Sequence, residues 1–133
     1  MAVAAALALG GCGGAAGDLL LVERRGSLPA AELSLRFTVD GRVACNGGPE
    51  RPLPSARTIE VRAIERDLSG TEEVPGPAAQ DLELPPGPAA LLRYTVTMEA
   101  GRVRFSDSGA TPLLGRLVRL TRQVARETCG LPR

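Results

Sequence analysis

The three cysteines are the residues of this 133-residue chain best suited to forming covalent bonds. The chain contains no histidine, so it cannot build a Ser-His-Asp or Cys-His catalytic arrangement, or a zinc site with a histidine ligand. Its cysteines are also too few for a zinc site made of thiolates alone. Lipid attachment and disulfide formation remain for Cys12, Cys45 and Cys129. We therefore expect a protein that is not an enzyme, without catalytic residues, metal or cofactor.

Cys12 lies behind an apolar N-terminal segment. Residues 2–9 are too few to span a membrane, which takes about 20 apolar residues, but they match the roughly 7–15 of a secretory signal. The residues that end this segment resemble the lipobox of bacterial lipoprotein signal peptides: Leu9, Gly10, Gly11 and Cys12. The resemblance implies a signal peptide at 1–11, lipid on Cys12, and a flexible tether at 12–17. The alternative is an N-terminus rich in Ala, Leu and Gly that contains a chance cysteine.

Cys45 and Cys129 form an even pair once Cys12 carries lipid. Extracytoplasmic domains tend to pair their cysteines, so we predict a disulfide between these two. A cross-link over so long a loop contributes about 4–5 kcal/mol in the chain-entropy model. The alternative is two free, buried thiols.

Alternating apolar and polar residues predict strands in both halves of the domain. A first strand at 19–23 precedes a hairpin that turns at Asp40 and Gly41. Its residues predicted to point inward are Leu33, Leu35, Phe37, Val39, Val43 and Cys45. A second hairpin turns at Ala100 and Gly101. Its predicted inward residues are Leu92, Tyr94, Val96, Met98 and Phe105.

A helix is predicted after each hairpin. Ser55 is expected to cap the first helix, which runs through Leu68, and Thr111 the second, which runs to about Thr128. Between them, a proline-rich loop at 69–90 hides a short helix near 78–82 or forms a functional protrusion.

These elements define an α+β fold in one domain at 18–133. We expect an antiparallel sheet of about five strands with two main helices on one face, arranged as two strand-strand-helix halves. The similarity of segments 35–39 and 92–96 favours an internal duplication, and convergence of two hairpins is the alternative.

The charge distribution offers two candidate binding surfaces. The net charge of +1 and the three aromatic residues give no basis for nucleic-acid binding. The polar face of the sheet could bind an extended partner, and one face of the last helix could bind acidic partners or lipid headgroups; solvated surfaces are the alternative for both. The sheet face carries Arg36, Arg93, Arg102, Arg104, Thr38, Thr95 and Thr97. The helix face carries Arg116, Arg119, Arg122 and Arg126.

Parts of the domain resemble the emfourin family of small inhibitors of thermolysin-like metalloproteases. The resemblance lies in Tyr94-Thr95-Val96, in the stretch from Val103 to Asp107, and in Pro112-Leu113-Leu114. The opening strand and its glycine turn are also similar, with Ser27 where the family tends to have a second glycine. The resemblance implies a compact binding module that occludes an extracellular protease with a loop. The implied contact residues are Gly26, Ser27, Leu28 and Pro29.

The combined expectation is a lipoprotein anchored to the cell membrane through Cys12, on the extracytoplasmic face. Its domain is expected to be a monomeric, non-catalytic module that binds a protein partner, such as an extracellular protease. The alternative function is a small-ligand-binding envelope lipoprotein, with a groove between helices and sheet.

Overall fold

The computed structural model describes residues 17–132. Six strands and two helices occur in this part of the chain. In chain order they are β1 (Asp18–Gly26), β2 (Leu33–Thr38), β3 (Arg42–Cys45), β4 (Glu50–Pro52), α1 (Ser55–Ser69), β5 (Leu92–Met98), β6 (Gly101–Ser106) and α2 (Pro112–Glu127).

The strands form one antiparallel sheet in the order β4-β3-β2-β1-β5-β6, which confirms the α+β class. β1 pairs on both sides, so Val22 lies opposite both Leu35 and Val96. The sheet has six strands where about five were expected, because β4 was hidden in a glycine- and proline-rich segment. β4 is a short edge strand, a position in which a residue such as Pro52 is tolerated.

The predicted alternation holds along most of the sheet. Side chains buried in one hydrophobic core come from alternate positions of the strands: Leu20, Val22, Leu33, Leu35, Phe37, Val43, Tyr94, Val96, Met98, Val103 and Phe105. Val39 was expected to point inward, but it lies in the turn after β2 and is 43% exposed. The connection at 39–41 has three residues instead of two, and Gly41 takes a positive φ of 83° as in other three-residue hairpin loops.

Both predicted helices are present, and their buried side chains join the same core. Thr111 caps α2 as predicted, since its Oγ1 accepts a hydrogen bond from the Leu114 backbone N–H at 3.4 Å. The cap of α1 differs from the prediction, because Pro54 occupies the capping position and no side chain caps the helix. The buried residues of the helices are Val61, Ile64, Leu68, Leu114, Leu117, Leu120, Thr121, Val124 and Ala125.

The two hairpins do not form a structural repeat. β2 and β5 run in the same direction and bury the same face, yet β3 and β6 extend away from β1 on opposite sides. The β2–β3 and β5–β6 hairpins are therefore mirror images of each other about β1, and no rotation can superimpose them. The matching sequences also occupy different positions along the strands. Their similarity aligns Leu35 with Leu92, but in the sheet Leu35 and Val96 are the residues that pair with Val22.

The proline-rich loop follows the outer edge of β6. Arg104 donates its backbone N–H to the Leu82 carbonyl at 2.9 Å and accepts from the Leu84 N–H at 2.8 Å. These bonds cover an edge that would otherwise expose unpaired backbone groups. The short helix expected near 78–82 is instead a hydrogen-bonded turn, in which the Leu82 N–H donates to the Pro77 carbonyl at 3.0 Å.

The predicted disulfide between Cys45 and Cys129 is present and joins β3 to the segment that follows α2. Cys129 lies two residues past the end of the helix, which ends at Glu127. Arg51 of β4 donates to the Thr128 carbonyl at 3.1 Å beside it. The segment that follows α2 is therefore fastened to the β3–β4 side of the sheet.

Removing the cross-link should reduce stability strongly. The two cysteines are 84 residues apart, so the double substitution Cys45→Ser and Cys129→Ser should lower the free energy of unfolding by about 4–5 kcal/mol. Guanidinium denaturation of both proteins measures the difference. Reductant should destabilise the unsubstituted protein and leave the double variant unchanged, whereas equal free energies of unfolding would contradict a structural role for this bond.

Candidate functional site

The turn that the sequence pointed to lies at the end of the central strand. Gly26 is the last residue of β1, and Ser27, Leu28 and Pro29 follow it on the way to β2; these four residues are named here the 26–29 turn. Ser27 and Pro29 are exposed and Leu28 is half-buried. The turn is thus accessible to a partner, as a contact loop must be.

A buried arginine holds this turn from inside. Arg24 points toward the core from β1 and is only 2% exposed. Its Nε donates to the Ala31 carbonyl at 2.8 Å, and its Nη2 donates to the Ala30 carbonyl at 3.2 Å. Hydrogen bonds from a charged donor are stronger than neutral ones, so they fix the path of the chain directly after Pro29. Sequence reasoning did not select Arg24, although its place in the alternation after Leu20 and Val22 was a usable signal.

The other side of the turn is tied to the segment before β5. The Ser27 N–H donates to the Leu91 carbonyl at 3.2 Å, while Asp107 Oδ1 accepts from the N–H groups of Leu91 and Leu92 at 3.0 and 3.1 Å. A Cβ at position 26 would lie 2.1 Å from the Leu91 carbonyl oxygen. Only glycine permits this close approach of the two backbones.

Tyr94 lies directly opposite Arg24 in the β1–β5 ladder and belongs to the core. Its ring is 1% exposed and stacks on Phe105 with 5.1 Å between ring centroids. Burial raises the pKa of the Tyr94 hydroxyl, and the positive charge of Arg24 partly opposes that rise. The hydroxyl therefore stays protonated at neutral pH and is not set up as a base.

The polar face of the sheet is divided into two electrostatic halves. On the side of β2 to β4 the arginines are paired: Arg36 lies 2.9 Å from Asp18 and 3.4 Å from Glu50, and Arg42 lies 3.5 Å from Glu50. The hydrogen bond that Arg36 donates to Asp18, followed by the negative charges of Asp18 and Glu50, raises the pKa of the Arg36 guanidinium. Thr38, expected on this exposed face, is instead 3% exposed.

On the side of β1, β5 and β6 the arginines lack such partners. Within residues 17–132, Arg25, Arg93 and Arg102 are in no ion pair, and Arg104 approaches Glu83 only to 3.9 Å. Arg25 and Arg93 lie directly opposite each other in the β1–β5 ladder. This half of the face keeps a positive charge next to the 26–29 turn.

The arginine face of α2 is mostly solvated. Arg116 pairs with Asp67 of α1 at 3.0 Å, while Arg119, Arg122 and Arg126 are exposed. Arg57 pairs with Glu60 of its own helix at 2.8 Å and with Glu127 of α2 at 3.4 Å. The Arg116–Asp67 and Arg57–Glu127 pairs link α1 to α2, so we assign these arginines a structural role and not a binding site.

No group of three or more His, Cys, Asp or Glu side chains in 17–132 could hold a metal ion. No helix in this range is long and apolar enough to cross a membrane. Cys12 and the predicted signal and tether residues 1–16 lie outside the described part of the chain.

Comparison of the chain with protein-family models, with curated proteins and with solved structures found no match.

Replacing Arg24 should loosen the 26–29 turn. Arg24→Met keeps the length of the side chain but removes both hydrogen bonds to the carbonyls of Ala30 and Ala31, at a cost of about 2–3 kcal/mol. The Ala31 N–H, which donates to the Leu28 carbonyl, reports on the turn. Its hydrogen exchange should quicken by more than the loss of global stability explains.

Arg25→Met is the matched control, since it removes an exposed arginine one residue further on. It should leave exchange at Ala31 unchanged. Equal exchange at Ala31 in the protein and in Arg24→Met would show that the guanidinium does not hold the turn.

Proposed function

We propose that the protein is a lipoprotein, anchored through Cys12 at the extracytoplasmic face of the cell membrane, whose domain binds a protein partner without catalysis. The observation that carries the binding role is the exposed 26–29 turn, tethered by Arg24 on one side and by Leu91 on the other. A loop already ordered in the free protein loses little conformational entropy on binding. That is the property required of a contact loop.

An extracellular protease is the partner class we infer. The support is the resemblance to emfourins around Tyr94 and Val103 and in the opening strand, together with a tethered turn at the position where the resemblance implies contact. Inhibition by such a module occludes the active site and needs no chemistry of its own. We also propose that both helices lie over the apolar face of the sheet and that this arrangement presents the turn. The support is the single core that the buried residues of the helices share with those of the strands.

The lipid anchor predicts a simple partitioning behaviour. Expressed in bacteria, the protein should enter the detergent phase, because acyl chains add about 0.8 kcal/mol of membrane affinity per buried CH₂. Cys12→Ser should move it to the aqueous phase, and Cys45→Ser should not. Recovery of the unsubstituted protein from the aqueous phase would contradict the anchor.

The inhibitory role predicts saturable loss of protease activity. Titrating a thermolysin-like metalloprotease with the purified protein should reduce peptide hydrolysis to a plateau. Ser27→Glu places a charge in the centre of the turn and should weaken inhibition at least tenfold, because an unpaired charge in an interface carries a desolvation cost.

Ser55→Glu adds the same charge at another exposed serine, at the start of α1, and should inhibit as the unsubstituted protein does. Absence of any effect at high micromolar protein would exclude inhibition of this protease class. Equal loss in both variants would place the contact elsewhere than the turn.

A further inference from the structure

An open groove lies on the polar face of the sheet, between the β1, β5 and β6 strands and the loop that covers the β6 edge. Its volume is about 390 Å³, which is within the size range of small-molecule sites. Loop residues form an apolar wall, and three arginines come from three different strands. Its lining includes Leu84, Pro86, Arg25, Arg93, Arg104 and Ser106.

The arginines of this groove are arranged unfavourably for a surface that meets only water. Arg25 and Arg93 form a directly opposed cross-strand pair, and like charges in such pairs destabilise a sheet. Neither is in ion-pair contact with a carboxylate within residues 17–132, whereas Arg36 and Arg42 on the other half of the same face are both paired. An anion placed between the two guanidinium groups would convert the repulsion into attraction.

The third arginine lies one step along the same face. Arg104 is opposite Thr95, two residues further along β5 than Arg93, and Ser106 is directly opposite Arg93. The groove also contains two acids: Glu23, which makes no ion pair in the described chain, and Glu83, whose 3.9 Å contact with Arg104 is long. Three arginines against two carboxylates leave a local excess of positive charge.

We propose that this groove binds a small organic dianion of the carboxylate or phosphate class. One anionic group bridges Arg25 and Arg93, next to Ser106, which lies opposite Arg93 on β6. The second anionic group takes the place of Glu83 beside Arg104. Guanidinium groups match carboxylates and phosphates through paired N–H donors. Leu84 and Pro86 contact the carbon skeleton. This binding is separate from the protein contact proposed above and does not depend on it.

Titration with succinate and, separately, with inorganic phosphate tests the groove. Both probes are followed by the ¹⁵N–¹H signals of the purified protein, including the arginine Nε–H groups. We expect saturable shifts at Arg25, Arg93 and Arg104 with a dissociation constant of roughly 0.1–1 mM for the better probe. The probe that saturates first identifies the class, carboxylate or phosphate.

Arg93→Gln should weaken this binding at least tenfold, and Arg25→Gln should do the same. Arg119→Gln removes the same charge from an exposed site on α2 and should bind normally. Because repulsion is relieved, Arg93→Gln should not lower the thermal midpoint, which separates lost binding from lost folding. Chemical-shift changes that grow linearly with probe concentration, or that are equally large at Arg119 and Arg126, would indicate general screening by salt. Either result would overturn the proposal.

Discussion

The pairing of β1 on both sides is the constraint on which the rest of this structure depends. Because β2 and β5 both align on β1, the inward residues of all three strands fall into rows, and Val22 lies between Leu35 and Val96. The end of β1 at Gly26 lies beside Leu92, the first residue of β5. The chain leaves the sheet at Gly26, where its backbone closely approaches the Leu91 carbonyl, and the exposed turn starts from a strand that is paired on both sides.

Arg24 extends this constraint to the surface. It is the next inward-pointing residue of β1 after Leu20 and Val22, at a position where an apolar side chain would complete the core. Its guanidinium instead binds two carbonyls of the chain that returns to β2. A buried charge is tolerated when such hydrogen bonds satisfy it, and it then specifies one conformation of the segment that provides them. On the β3–β4 side of the sheet, the Cys45–Cys129 bond and Arg51 hold the segment that follows α2.

Much of the fold follows from patterns that are local in sequence. Alternation predicted the strands because a half-buried sheet imposes a period of two, and Thr111 with Pro112 predicted the start of α2 because a cap needs only neighbouring atoms. Cys45 and Cys129 were predicted as a pair by counting alone. Alternation alone did not predict where each strand ends. Val39 fits the alternation but lies in a turn, and the three residues of β4 are too few to show a pattern.

The features that the sequence did not indicate are non-local. The Leu82 to Leu84 stretch binds the edge of β6 through backbone groups, for which no side-chain pattern is needed. The contacts of Arg24 depend on how the 26–29 turn folds back, and the opposition of Arg25 and Arg93 depends on the register between β1 and β5. The similarity of the two hairpins pointed toward a repeat that the reflected arrangement around β1 excludes. Each of these arises from tertiary pairing.

The most direct measurement of the contact surface is site-specific photo-crosslinking in intact cell envelopes. A photoreactive residue at Ser27 should capture one discrete protein, and the same residue at Glu72, which is exposed in the proline-rich loop, should not. Addition of Arg24→Met to the Ser27 probe should reduce the yield, because the turn is then less ordered. Capture of the same protein with equal yield from both positions, or capture from neither, would contradict the proposal that this domain binds a protein partner through the 26–29 turn.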